Sequence, residues 1–179
     1  MLKNLIFMVS VCLFFTCAAF GQQATTSKNF QIVEIEKFAV RDGVEFPAEK
    51  VDPLMRSILK TLQKSNRFEQ VFLADDSSAE QAPMESRIKI SGEITKYVKG
   101  NRAVRYMVGL GAGATKIIAD IKFINAETGE TILTQTVDGD VTWGLFGGDS
   151  DDAKSGVADE IIRVMKKNNF AGEKKKTQK

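Results

Sequence analysis

Three stretches in the second half of the chain alternate apolar and polar residues with a period of two. Ile88, Ile90 and Ile94 alternate with Lys89, Ser91 and Glu93, while Ile117, Ala119, Ile121 and Phe123 alternate with Ile118, Asp120, Lys122 and Ile124. Leu133, Val137, Val141 and Trp143 share one face of a third stretch, which opens after the turn-forming run Asn125-Ala126-Glu127-Thr128-Gly129. Such alternation sets one row of side chains on a core and the other in water, so all three read as strands of an antiparallel meander.

Elsewhere the period lengthens to three and four. Val51, Leu54, Met55, Ile58, Leu59 and Leu62 gather on one helical face, while Arg56, Lys60, Gln63 and Lys64 point away from it. Asp52-Pro53 predicts an N-cap followed by proline at the first helical position, and Ser65-Asn66-Arg67 ends the helix. A second stripe, Ala153, Val157, Ile161 and Val164, predicts a helix from about Asp151 to Asn168. Asp149, Asp151 and Asp152 stand at its start and Lys166 and Lys167 at its end, as the helix dipole favours.

Phe30 to Val40 is β-branched and aromatic and reads as a strand with Val33 and Ile35 facing the core; Arg41 to Lys50 is a loop. Phe68 to Leu73 is a short strand, with Phe68, Val71 and Phe72 available for burial. A strand, a helix and a strand in such close succession imply a right-handed crossover and a parallel pair. Ala74 to Glu85, rich in acids and serines and containing Pro83, is expected to be an exposed loop. Together these elements predict an α/β (α+β) two-layer sandwich, a mixed sheet of about five strands with two amphipathic helices on one face.

The first 21 residues belong to none of this. Lys3 supplies a positive start, Leu5 to Phe20 is apolar apart from Ser10 and Thr16, and Ala19-Phe20-Gly21 closes the run with small residues where a signal peptidase cuts. The run is shorter than the ~20 residues a membrane span needs. It reads as an export signal that places the chain in the periplasm or outside the cell, with Gln22 as the first mature residue. Lipidation of Cys17, with outer-membrane anchoring, is the alternative; Phe14-Phe15-Thr16 is a poor match to the sequence that precedes a lipoprotein cysteine. The organisation expected is a signal peptide at 1–21, a flexible polar lead-in at 22–29, one α/β domain at 30–170, and a disordered basic tail at 171–179 carrying Lys174, Lys175, Lys176 and Lys179.

Removing 21 of 179 residues leaves 158, enough for one core that buries roughly 70% of the unfolded chain's surface. Cys12 and Cys17 leave with the leader, so the mature chain has no disulfide and packing must hold it. Without Lys3 the basic residues number 24 against 23 acidic, a balance that argues against a nucleic-acid partner. Membrane contact is expected only through a lipidated Cys17 or the basic tail.

The chain has no histidine, which excludes imidazole acid–base work, Ser-His-Asp systems and the commonest zinc sites. No cofactor and no catalytic activity are expected, with a carboxylate-based enzyme as the lesser alternative. Asp138-Gly139-Asp140 and Gly148-Asp149-Ser150-Asp151-Asp152 offer oxygen donors, but the glutamate that an EF-hand carries at its twelfth position is absent, and helix capping explains the second cluster without a metal. Gly109-Leu110-Gly111-Ala112-Gly113 precedes a strand and not a helix, so the dinucleotide reading fails on context. What remains is a glycine-rich connection between two strands, rimmed by Lys99, Arg102, Arg105 and Lys116, with Tyr106 beside it. We take Lys99, Arg102, Arg105, Tyr106, Gly109, Gly111, Gly113 and Lys116 as the candidate binding residues, suited to an envelope protein or a cell-wall glycan. The competing account is a long hairpin whose basic residues merely keep it soluble.

The run from Gly100-Asn101-Arg102-Ala103-Val104-Arg105-Tyr106-Met107-Val108 to Gly109-Leu110-Gly111-Ala112-Gly113, followed by an alternating strand and Ala126-Glu127-Thr128-Gly129-Glu130, resembles an exported bacterial family of unknown function, number 4410. That family's order of elements is similar to the periplasmic α/β domain of curli-secretion lipoproteins and of lipoproteins that activate penicillin-binding proteins. The resemblance implies an envelope scaffold or adaptor without catalysis, and brings no established site residues with it. A second functional class is a membrane-associating or secretion-pore component in which Arg105 to Ile118 enters lipid. That segment lacks two runs of about ten alternating residues, the pattern a membrane hairpin requires.

Overall fold

The computed structural model describes residues 29–100, 115–142 and 154–173. The chain runs through β1 (Ile32–Ile35), β2 (Ala39–Val40), a 3-10 turn (Ala48–Lys50), α1 (Val51–Lys64), β3 (Gln70–Leu73) and α2 (Ser78–Gln81). It continues through β4 (Arg87–Val98), β5 (Thr115–Asn125), β6 (Thr131–Thr142), β7 (Lys154–Ser155) and α3 (Gly156–Lys167). Seven strands make one mixed sheet in the order β3-β1-β4-β5-β6-β7, with β2 also paired to β4. The two-layer α/β sandwich holds, and the two strands beyond the expected five are two-residue segments.

Strand β1 is parallel to both neighbours, with Val33 opposite Val71 and Ile88. Strands β4, β5 and β6 form the antiparallel meander, with Ile90 opposite Phe123 and Ala119 opposite Val137. One face of the sheet carries Val33, Ile35, Ile88, Ile90, Ile94, Ile117, Ile121 and Phe123, all essentially removed from water. The α1 stripe, led by Leu54, Ile58 and Leu62, and the α3 stripe of Val157, Ile161 and Met165 close over that face and complete the core. Each such aliphatic side chain, once fully buried, contributes ~1.5–3 kcal/mol.

Several boundaries differ from those predicted, each for a local reason. The Phe30–Val40 strand divides into β1 and β2, because Glu36 returns to the Ile90 carbonyl while Arg41 bonds the Ile94 carbonyl further along β4. Phe38 swings between them over Gly92, whose missing Cβ makes room for the ring. Helix α1 starts at Val51, continuing the 3-10 turn, with Lys50 at the N-cap; Asp52 is therefore inside the first turn, where it pairs with Lys37 and does not cap. The helix ends as predicted, with Asn66 in the left-handed region at φ 52°.

The 74–85 segment is not wholly an exposed loop: α2 and the buried Ala82 cover the second face of the sheet, packing on Ile32 and Phe72. Helix α3 begins at Gly156, so the acids at 149–152 do not lie in its first turn; they and Ala153 fall outside the described residues, as does Trp143. At the chain's far end Phe30 bridges Ala171, and the Arg67 guanidinium donates to the Gly172 carbonyl at 2.8 Å, which holds the head of the expected tail.

Candidate functional site

The long pair β4–β5 is the element that positions the candidate residues. It stays in register from Ile88 opposite Asn125 to Val98 opposite Lys116, with a bulge at Thr95 where the partner of Lys96 is Ile118. Past the bulge Tyr97 turns to the helical face and stacks edge-on against Phe46, with ring centroids 5.1 Å apart. Lys96 and Val98 turn the other way, onto the face that α1 and α3 leave uncovered, and Val98 is 44% exposed. The Gly100 amide then donates to the Thr115 hydroxyl at 3.2 Å, closing the mouth of the connection.

Of the candidate residues, Lys99 is exposed just beyond β4, and Lys116 lies on the outer face of β5. Arg102, Arg105, Tyr106, Gly109, Gly111 and Gly113 fall outside the described residues, and so does Cys17. The Lys116 ammonium pairs with Asp138 at 2.8 Å, which raises its affinity for a proton. Lys116 is thus tied into the sheet surface, while Lys99 projects from its end.

The outer face of the meander is a lattice of paired charges. Arg41 reaches across β4 to Glu93 at 2.5 Å and Asp120 at 3.0 Å, and the Thr136 hydroxyl donates to Asp120 at 2.7 Å. Sequence spacing could not reveal this cluster, since Arg41 and Asp120 meet only through strand register. The Thr136 hydrogen bond is the largest influence and holds the Asp120 carboxyl below its usual value; burial opposes it, and the Arg41 guanidinium adds to the lowering. Asp138 is lowered by Lys116, Asp52 by Lys37, and Asp76 by the backbone amide and hydroxyl of Ser78.

A carboxylate lowered in the fold stabilises it above the unfolded-state pKa, and that contribution disappears as pH falls through the folded value. Melting temperature is therefore expected to decline on acidification below about pH 4. Asp120→Asn should flatten part of that decline while lowering the neutral-pH melting temperature, and an unchanged pH profile in Asp120→Asn would remove the carboxylate from this role.

No group of three or more acidic or cysteine side chains among the described residues is arranged to hold a metal ion. No helix among them is long and apolar enough to cross a membrane. Among curated proteins none matches the chain. The fold is similar to that of the PelC dodecamer from Paraburkholderia phytofirmans, at 14% identity and a TM-score of 0.49, covering 80% of this chain and 90% of that one. It is also similar to lipoprotein GNA1162 from Neisseria meningitidis, at 8% identity and a TM-score of 0.39 over 76% of this chain and 95% of that one. A DUF330 protein from Xanthomonas campestris aligns at 11% identity and a TM-score of 0.42, over 82% of this chain and 86% of that one. A family model matches residues 24–142, from before β1 to the end of β6, and so the chain belongs to the family described as a domain of unknown function, DUF4410.

Proposed function

We propose that this protein is a non-catalytic binding module, exported to the cell envelope, which docks on an envelope protein or glycan through the connection between Lys99 and Lys116. The observation that carries the reading is the end of the β4–β5 pair, where exposed Val98 stands beside Lys96 and Lys99 on a base closed by Gly100 and Thr115. Exposed Val98, with Lys96 on the same face and Lys116 opposite it in the register, suits a partner surface that is apolar at its centre and anionic at its rim. The 12-residue and 11-residue strands behind it provide a stiff mount.

The lack of histidine, which removes imidazole acid–base chemistry, supports the non-catalytic part of the reading.

Photo-crosslinking in cells tests the reading. A crosslinker at position 99 or 116 is expected to capture one discrete partner, and the same group at Thr128, in the turn at the opposite end of the meander, is not. Charge reversal of Arg102 and Arg105 should weaken the capture. Equal capture from all three positions, or none from 99 and 116, rejects the docking role.

A further inference from the structure

Strands β1 and β3 are parallel neighbours, yet the chain leaves them toward opposite faces of the sheet. From β1 it passes by way of β2, which pairs with β4, to α1 on the helical face, and from β3 it passes to α2 and Ala82 on the other. In an open α/β sheet such a divergence leaves a crevice outside the carboxyl ends of the two strands, the place where ligands of these sheets bind. A cavity of about 370 Å³ lies there. Its apolar wall is the half-buried Leu73 at the end of β3, backed by the buried Ile35 at the end of β1 and Met55 of α1.

The walls are fixed by backbone bonds. The Ala74 amide donates to the Ile35 carbonyl at 2.9 Å, and the Glu36 amide donates to the Ile90 carbonyl at the same distance, so the strand ends are already satisfied and aligned. Charges of both signs line the crevice: Lys37 and Arg56 against Asp52 and Asp75. Lys37 and Asp52 meet at 2.7 Å, but both side chains are well exposed, and an ion pair in water separates at little cost. A single phosphate or a nucleotide would meet the two acids as well as the two bases. A ligand that carries one charge of each sign is matched by all four.

We propose that this crevice binds a small zwitterion with an apolar body, of the free amino acid or dipeptide class. The carboxylate is placed between Lys37 and Arg56, the ammonium against Asp75 and Asp52, and the apolar side chain against Leu73, over the buried Ile35 and Met55. Volumes of this size are within the range of pre-formed small-molecule sites. The site lies at β1 and β3, away from the Lys99–Lys116 connection, so either assignment can fail without the other.

The test is a titration of the full chain with the dipeptide Leu-Ala, followed by the Met55 methyl signal in NMR, beside the same dipeptide acetylated and amidated at its ends. Saturable shifts with a dissociation constant near ~1 mM are expected for the free dipeptide, with binding at least about tenfold weaker for the blocked one. Arg56→Gln and Asp75→Asn should each weaken binding about tenfold, a difference of ~1.4 kcal/mol, with thermal unfolding confirming that each variant is folded. Lys122→Ala, on the exposed outer face of β5, should change nothing. Absence of a saturable shift up to about 10 mM overturns the assignment. Equal binding of free and blocked dipeptide overturns the recognition of both charges.

Discussion

Gly139→Ala is expected to cost ~3 kcal/mol or more and to lower the melting temperature by roughly 10 °C in a domain of this size. Gly139 lies in β6 directly beneath the start of α3. A Cβ built there would stand 2.9 Å from the Gly156 Cα and nearer still to the Gly156 carbonyl carbon and the Val157 nitrogen, all of them backbone atoms that no rotamer change can move. Gly156 is in turn constrained from the other side, where its own added Cβ would stand 3.0 Å from the Asp140 nitrogen. Relief requires lifting α3, whose Val157, Ala158 and Ile161 are completely buried. Gly129→Ala is the control: Gly129 has φ 71° with nothing within 4 Å, so only backbone strain of ~1 kcal/mol is incurred. Circular dichroism melts of the two variants decide the matter, and a Gly139→Ala loss no larger than that of Gly129→Ala would disprove the close-packing account.

Breaking the buried ion pair of β1 and β4 should cost ~3–5 kcal/mol from either side. Glu34 and Arg87 are 5% and 4% exposed and meet at 2.8 Å, with Lys89 at 3.3 Å from the second Glu34 oxygen. Arg87 also donates to the Ala82 and Pro83 carbonyls and lies over the Phe72 ring at 5.5 Å, so one guanidinium fastens the 74–86 segment to the sheet. Glu34→Ala leaves that guanidinium buried without its anion. Arg87→Ala leaves Glu34 with only the partly exposed Lys89 and releases the two carbonyls, and the segment should become open to proteolysis. Because the two residues act as a unit, urea unfolding of the Glu34→Ala/Arg87→Ala double variant should show a loss smaller than the sum of the singles by ~1–3 kcal/mol. Additive losses would show that the pair is not coupled.

Neither charge was legible as a pair in the sequence, and the reason is geometric. Glu34 and Arg87 lie 53 positions apart and meet only because β1 inserts between β3 and β4 in a parallel register. The same holds for Arg41 with Asp120, and for the crevice between β1 and β3. The Asp52-Pro53 cap was misplaced because the 3-10 turn at Ala48–Lys50 supplies the first hydrogen bonds, and Lys37 engages the Asp52 carboxylate instead. The helix expected from about Asp151 begins at Gly156, where α3 docks on Gly139, a contact that turn and capping signals do not encode.

Periodicity by itself determined the three alternating strands, the two helical stripes and their core-facing sides, and the close succession of strand, helix and strand determined the parallel pair; that β1 is buried on both faces followed from neither. The legible properties depend on side-chain hydrophobicity along a repeating backbone, which can be read one segment at a time. The lack of histidine and the confinement of both cysteines to the first 17 residues were equally plain, and they narrowed the chemistry before any fold was considered. Only the tertiary structure decided which strands are neighbours, which charges meet, where a glycine lets a helix reach the sheet, and where divergent connections open a crevice. Each of these is a relation between distant segments, set by strand order and register, which local periodicity does not specify.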